Sequence, residues 1–207
     1  MKRIVIGILF GGIIFLNFGC PKPCVEANYT FAVTARFTPD MDSIKIGDTI
    51  FLESTFPTTL QETQSGRLID YSGALDIGNS LSVLQLLTSD TLAKDAVSNF
   101  SYASLIGKIY NDRNIPRPDG VDQLVYSQTG NSYKLNIAII PKVSGVYGLG
   151  LGNGLSNGRT NSNSCEKASF NTTVVNTNQH LYLFNLWRPD IVIDQNGRRG
   201  VYFFKVF

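Results

Sequence analysis

Four groups of residues in this chain are of types that could do chemistry. Residues 154–158 read Gly-Leu-Ser-Asn-Gly, a G-x-S-x-G pentapeptide, and Glu166 and His180 follow in the order nucleophile, acid, base. A serine nucleophile of that kind must sit on a sharp turn between a strand and a helix, so that its Oγ stands clear of the sheet. Residues 159–164 are instead polar with no helical apolar stripe, no alternation of strands and helices precedes them, and little chain separates Ser156 from His180. A polar loop explains the same letters. Asp40, Asp42 and Asp48 lack the spacing and turn glycine of a calcium loop, and Asp194-Gln195-Asn196-Gly197 fits a hairpin turn better. A lone His180 speaks against the usual zinc sites. No catalytic residue, metal site or cofactor is therefore assigned. The chain reads as non-catalytic; the alternative is a glycan hydrolase whose carboxylate pair does not stand out among the 16 acids.

Two further patterns bear on binding and packing. Tyr102 and Tyr110 lie off any alternating strand, and Trp187, the only indole, precedes Arg188-Pro189. They are the candidates for sugar stacking in a carbohydrate-binding accessory protein, against the plainer fate of core packing. Gly148, Gly150, Gly152 and Gly154 recur at every second residue and match neither a dinucleotide nor a phosphate-loop fingerprint. On one face of a strand they would let another backbone or a large aromatic approach closely. Ligand-binding residues stay unassigned.

The elements that must position these residues are mostly strands. Residues 29–37 alternate, with Tyr29, Phe31, Val33, Ala35 and Phe37 on one face, which is the period of a half-buried strand. Short apolar runs continue at 49–54 and within 67–87, punctuated by Gly73, Gly78 and Asn79. Ser89 or Asp90 can cap a helix carrying Leu92, Ala93, Ala96, Val97 and Phe100 at helical spacing, and Pro and Gly make 114–122 a loop. Residues 89–130 are thus expected to form a helical or loop excursion from the sheet. Strands resume with Tyr133, Leu135, Ile137 and Ile139 on one face and return near 165–175, whereas the period of 180–187 is ambiguous. Asn196-Gly197 predicts a type I′ hairpin turn, with Asp194 facing Arg199 across it. Residues 201–207 are apolar on both faces, which predicts a strand covered on both sides.

The strand, Pro141, short turn, Gly145-x-Tyr147, strand order of residues 133–151 resembles immunoglobulin-like domains of bacterial surface proteins. The resemblance implies a tyrosine corner, in which the Tyr147 hydroxyl bonds back to nearby backbone. The expected fold class is mainly β, a single immunoglobulin-like β-sandwich over residues 28–207.

The N-terminus carries targeting information. Lys2 and Arg3 precede an apolar run, Ile4 to Leu16, that is short for a membrane span and broken by Gly7, Gly11 and Gly12. Residues 1–19 read as a signal peptide. Phe18-Gly19-Cys20 at its end resembles the lipobox of bacterial lipoproteins, with Asn17 where Leu is usual, as in relaxed boxes like those of Bacteroidota lipoproteins. The resemblance implies lipidation and cleavage at Cys20, a short tether over 20–27, and the lipid bilayer as a partner. The expected location is the bacterial outer membrane, on the periplasmic rather than the surface face, since no run of acids follows Cys20.

With Cys20 lipidated, Cys24 and Cys165 are the remaining thiols, and an even pair in an oxidising compartment suggests a disulfide. Two unpaired cysteines are the alternative. A bridge would put the domain against the bilayer without a stalk and favour a partner in or beside the membrane over a long-reach adhesin; a membrane-proximal protein or a glycan is the expected partner. Charge excludes one class of partner. The chain has 18 Lys and Arg against 16 Asp and Glu, and Lys2 and Arg3 account for the difference, so no field for nucleic acid remains after cleavage. The expected role is an envelope-anchored, non-catalytic binding or scaffolding module.

Overall fold

A computed structural model describes residues 28–87, 92–110, 123–160, 166–177, 180–191 and 200–207. Seventeen strands form in chain order among them. They begin β1 (Asn28–Thr38), β2 (Ser43–Ile44), β3 (Ile50–Pro57), β4 (Thr59–Gln61), β5 (Leu68–Asp70) and β6 (Gly78–Asn79). β7 (Leu81–Leu86), β8 (Lys94–Asp95), β9 (Phe100–Ile106), β10 (Lys108–Tyr110), β11 (Gln123–Val125) and β12 (Ser127–Thr129) follow. The chain closes with β13 (Ser132–Pro141), β14 (Gly145–Leu151), β15 (Gly154–Ser156), β16 (Lys167–Val174), helix α1 (Leu181–Trp187) and β17 (Val201–Val206).

The strands make a large sheet in the order β10-β11-β6-β15-β16-β1-β3-β13-β12, with β9 also on β13, and a smaller one in the order β2-β17-β14-β7-β8. β1 joins the two halves of the large sheet. Its residues 28–35 run parallel to β16, and Arg36, Phe37 and Thr38 pair antiparallel with β3. Asn176 seals the handover by accepting from the Phe37 amide at 3.1 Å and donating to the Phe37 carbonyl at 2.7 Å. The alternating face of β1 is buried as expected, with Phe31 and Phe37 fully enclosed.

The two sheets pack face to face, so the fold is a mainly-β sandwich. Phe37 on β1 stacks on Tyr202 on β17 with centroids 5.1 Å apart, and Phe100 on β9 meets Tyr147 on β14 edge-on at 4.8 Å. The other half of the core lies within the curl of the large sheet, where Phe170 contacts Phe31 at 5.4 Å and Phe56 at 5.6 Å. The tyrosine corner forms. The Tyr147 hydroxyl lies 3.0 Å from the Val143 carbonyl and 3.4 Å from that of Ser144, and accepts from Asn99 Nδ2 at 3.1 Å. Burial pushes its ionisation up, with the Asn99 bond opposing, so it stays a neutral donor.

β17 is covered on both faces. Tyr202, Phe204 and Val206 point into the sandwich, while Phe203 packs outward against Phe184 of α1 at 5.5 Å. The ambiguous segment 181–187 is thus a helix whose apolar residues Leu183 and Phe184 cover the small sheet from outside. Glycine spacing on β14 serves the same layer. A Cβ on Gly148 would stand 2.9 Å from both Phe203 Cε1 and Val201 Cγ1. The Asn196-Gly197 turn and the Asp194–Arg199 pair lie outside the described residues.

The helix expected after residue 89 is corrected. Of its described part, a single 3-10 turn forms at Val97–Asn99, and Leu92 is 79% exposed. Phe100 instead opens β9, which pairs with Pro141 through Asn136 on β13. β12 takes the same side of β13 lower down, at Ser132 to Lys134. Aromatic and apolar residues on the free side of a long central strand gain more from the ladder and the core than from one amphipathic turn. β10 and β11 likewise extend the large sheet, so most described residues of 89–130 belong to it. Gly107 makes the passage from β9 to β10. Its φ is +94°, and a Cβ there would lie 2.6 Å from the Val125 carbonyl oxygen and 2.8 Å from Leu135 Cδ1.

A polar groove as the candidate binding site

The outward side chains of β1, β3, β13 and β9 line up across the large sheet. Arg36 opposes Glu53, Glu53 opposes Asn136, and Asn136 opposes Ile106. One row over, Thr55 opposes Lys134. Val175, held by its amide to the Ala35 carbonyl at 2.9 Å, closes the other side. Together with Thr34 they line an open groove of about 450 Å³ on the face turned away from the small sheet. It crosses four strands and the segment after β16, four spacings or roughly 19 Å at the usual distance between neighbours. An irregularity in the β9–β13 ladder beside Asn136 leaves Leu105 as an extra residue and sets Ile106 at the rim.

The groove's polar groups are unevenly satisfied. Glu53 Oε2 accepts from Thr38 Oγ1 at 2.8 Å and pairs with Arg36 Nε at 3.3 Å. Ser54 beneath it donates to the Thr34 carbonyl at 2.7 Å, where β1 and β3 part. Lys134 is half-buried, and no carboxylate among the described residues pairs with it. Asn136 Oδ1 is enclosed without a hydrogen-bond partner among the described residues. Such an arrangement can hold a ligand by charge and hydrogen bonds.

The residues singled out in the sequence for catalysis or metal binding lie apart from this groove. Ser156 is buried on β15, its Oγ donating to the Leu75 carbonyl at 2.7 Å, with Gly158 O at 3.1 Å. Glu166 pairs with Arg159 at 3.1 Å, and Arg159 also lies over the Tyr71 ring. His180 sits against β17, with Nδ1 3.1 Å from the Phe203 carbonyl and Nε2 3.7 Å from Asp40. A ring nitrogen facing a carbonyl must carry the proton, so Nδ1 is the donor. Ser156 and Glu166 both border Tyr71, whose hydroxyl donates to the Glu166 carbonyl at 2.9 Å, whereas His180 is held against the small sheet, so the three form no triad. Asp42 accepts from Tyr182 at 2.6 Å, which holds its carboxyl below the ordinary value, and Asp48 accepts from the Lys45 amide at 2.8 Å. Among the described residues no group of three or more His, Cys, Asp or Glu comes together to hold a metal.

The aromatic candidates fare unequally. Tyr110 is 44% exposed. Tyr102 is half-buried and donates to the Val97 carbonyl at 3.0 Å, and Tyr126, the other aromatic of that region, is buried. Trp187 donates to the Leu87 carbonyl at 2.7 Å and packs edge-on to Phe184, so it belongs to the helix cluster. None of them lines the groove. Cys20, Cys24 and Cys165 lie outside the described residues. The groove residues were not found from sequence. Alternation marks Thr34 and Arg36 as outward, but their neighbours on β3, β13 and β9 come from far along the chain.

No protein-family model matches the chain, and no curated protein matches it. Two solved structures are similar to parts of it. A cohesin module from a Clostridium perfringens family 33 glycoside hydrolase is 14% identical, with 68% of this chain and 98% of that one covered at a TM-score of 0.30. The CupB6 tip adhesin from Pseudomonas aeruginosa is 15% identical at a TM-score of 0.17, with 73% of this chain and 43% of that one covered. Likenesses of this size carry no argument about function.

Proposed function

We propose that this chain is an envelope-anchored lipoprotein, lipidated at Cys20, that acts as a non-catalytic binding module through the groove on its large sheet. The observation that carries the reading is the Arg36–Glu53–Asn136 row with Lys134 beside it, an outward, ligand-sized depression whose charges and amide are not all spent within the protein. Function-bearing polar groups left unsatisfied on a rigid sheet are the ordinary starting point of a binding site.

The geometry of β1 supports the anchored arrangement. Asn28 and Lys167 pair at the beginnings of two parallel strands. Cys24 precedes Asn28 by four residues and Cys165 precedes Lys167 by two, so each is close in sequence to that pair. The distance a disulfide needs is within reach of those segments. Such a bridge would close a loop of about 142 residues and stabilise by ~4–5 kcal/mol in the chain-entropy picture. Cys20 would then stand at most ~14 Å from the bridge. The groove begins at Thr34, roughly 20 Å along β1 from Asn28. A partner in or beside the membrane fits that height.

The test pairs location with activity. Wild-type and Cys20→Ser chains are fractionated from cells, and the purified full chain is incubated with a panel of envelope glycans. The proposal expects membrane attachment that is lost or left as precursor in Cys20→Ser, and no product from any glycan. Normal processing and full membrane partition of the variant would refute the anchor; a hydrolysis product would make the chain an enzyme.

A further inference from the structure

We infer that the groove takes an extended acidic segment of a partner protein, about six residues long, lying across the strands. The inference rests on the binding-module reading above and names its partner class. Length comes first: roughly 19 Å of groove accommodates about six residues of extended chain at ~3.3 Å each.

Charge comes next. Of the two cations in the lining, Arg36 is offset by Glu53, while Lys134 has no carboxylate among the described residues. An incoming carboxylate completes Lys134 with a charge-assisted hydrogen bond, about twice as strong as a neutral one. Glu53 does not oppose this strongly, because its Oε2 is already engaged by Arg36 and Thr38. The peptide backbone supplies the rest. An N–H donor can satisfy Asn136 once its amide turns toward the groove, and carbonyls can accept from Thr34 and Thr55. Ile106 at one end and Val175 at the other, 40% and 60% exposed, offer apolar seats for side chains flanking the acid. A sugar fits less well, since no aromatic ring lines the groove to cover the apolar face of a pyranose.

The experiment uses the purified full chain in detergent micelles and follows its amide resonances by NMR. The probes are the capped hexapeptide Val-Thr-Asp-Thr-Asp-Val, its Asn counterpart Val-Thr-Asn-Thr-Asn-Val, and polygalacturonate. Expected are shifts confined to amides of 34–36, 53–55 and 134–136, at least fivefold tighter binding of the acidic peptide than of the Asn peptide, and loss of that discrimination in Lys134→Gln with its melting transition unchanged. Equal affinity for the two peptides, or discrimination that survives in Lys134→Gln, overturns the inference. Shifts at the groove amides from polygalacturonate but not from the peptides also overturn it, while leaving the groove as a binding site. No response of the groove amides to any probe overturns both the inference and the groove's part in the proposed function.

Discussion

Replacing Tyr147 with Phe removes one oxygen from the corner that ties β14 to the turn before it. The ring is fully enclosed and keeps its edge contact with Phe100 at 4.8 Å, so packing is preserved and only hydrogen bonds change. The hydroxyl donates to the Val143 carbonyl at 3.0 Å and accepts from Asn99 at 3.1 Å. Each such bond contributes about 0.5–1.5 kcal/mol net, more where a partner is stranded without water. Stranding is limited here. Asn99 keeps Gln85 as an acceptor at 3.3 Å, and Val143 lies in an exposed turn where water can reach its carbonyl. The cost is therefore about 1–2 kcal/mol, below that of a buried orphan. In urea, with a slope of about 2 kcal/mol/M for a domain of this size, the midpoint falls by about 0.5–1 M with the slope unchanged. Tyr110→Phe, at an exposed position, serves as the control. If the Tyr147→Phe midpoint moves no further than the control, the corner does not stabilise the sandwich and the reasoning fails.

Glu62 accepts from the backbone amides of Ser65 at 2.6 Å and Gln64 at 3.1 Å, and those bonds lower its ionisation to about 2. A folded value below the unfolded one means the stabilisation is present above about pH 4.3 and lost as pH falls through about 2. Wild type should thus lose stability relative to Glu62→Gln between roughly pH 5 and pH 2, and parallel profiles from urea titrations at each pH would contradict the assignment. Gly107→Ala places a Cβ against the Val125 carbonyl in a backbone region that costs L-residues about 1–2 kcal/mol by itself, so a loss of at least ~2 kcal/mol is expected in thermal or urea unfolding. Deleting residues 200–207 removes the strand between β14 and β2, together with Tyr202, Phe203, Phe204 and Val206. At about 1.5–3 kcal/mol per buried side chain the loss rivals the whole stability of a domain, so calorimetry should show no cooperative transition.

Local patterning carried much of the architecture. The alternation of β1, the double-sided strand β17, the close-approach role of Gly148 and the Tyr147 corner were all readable, because each depends on spacing within a few residues. The error at 89–100 came from the same source. Leu92, Ala93, Ala96, Val97 and Phe100 satisfy a helical period locally, and only the free side of β13, some forty residues on, makes β9 the better use of Phe100 and Tyr102. The double pairing of β1 was likewise hidden, since its partners lie in β3 and β16 and its handover depends on Asn176. The groove suffered most. Its row combines Arg36, Glu53, Asn136 and Ile106, which are polar or apolar outward residues like many others until strand order sets them side by side.

The central claim is that the anchored protein meets its partner at this groove. A photoreactive residue at Thr55, exposed in the groove, tests it in intact cells against the same residue at Gln64, in the turn between β4 and β5. The account predicts a discrete protein adduct from Thr55 that is absent from Gln64 and is lost when Lys134→Gln is added. An adduct from Gln64 alone, equal adducts from both positions, or a Thr55 adduct indifferent to Lys134 would contradict it.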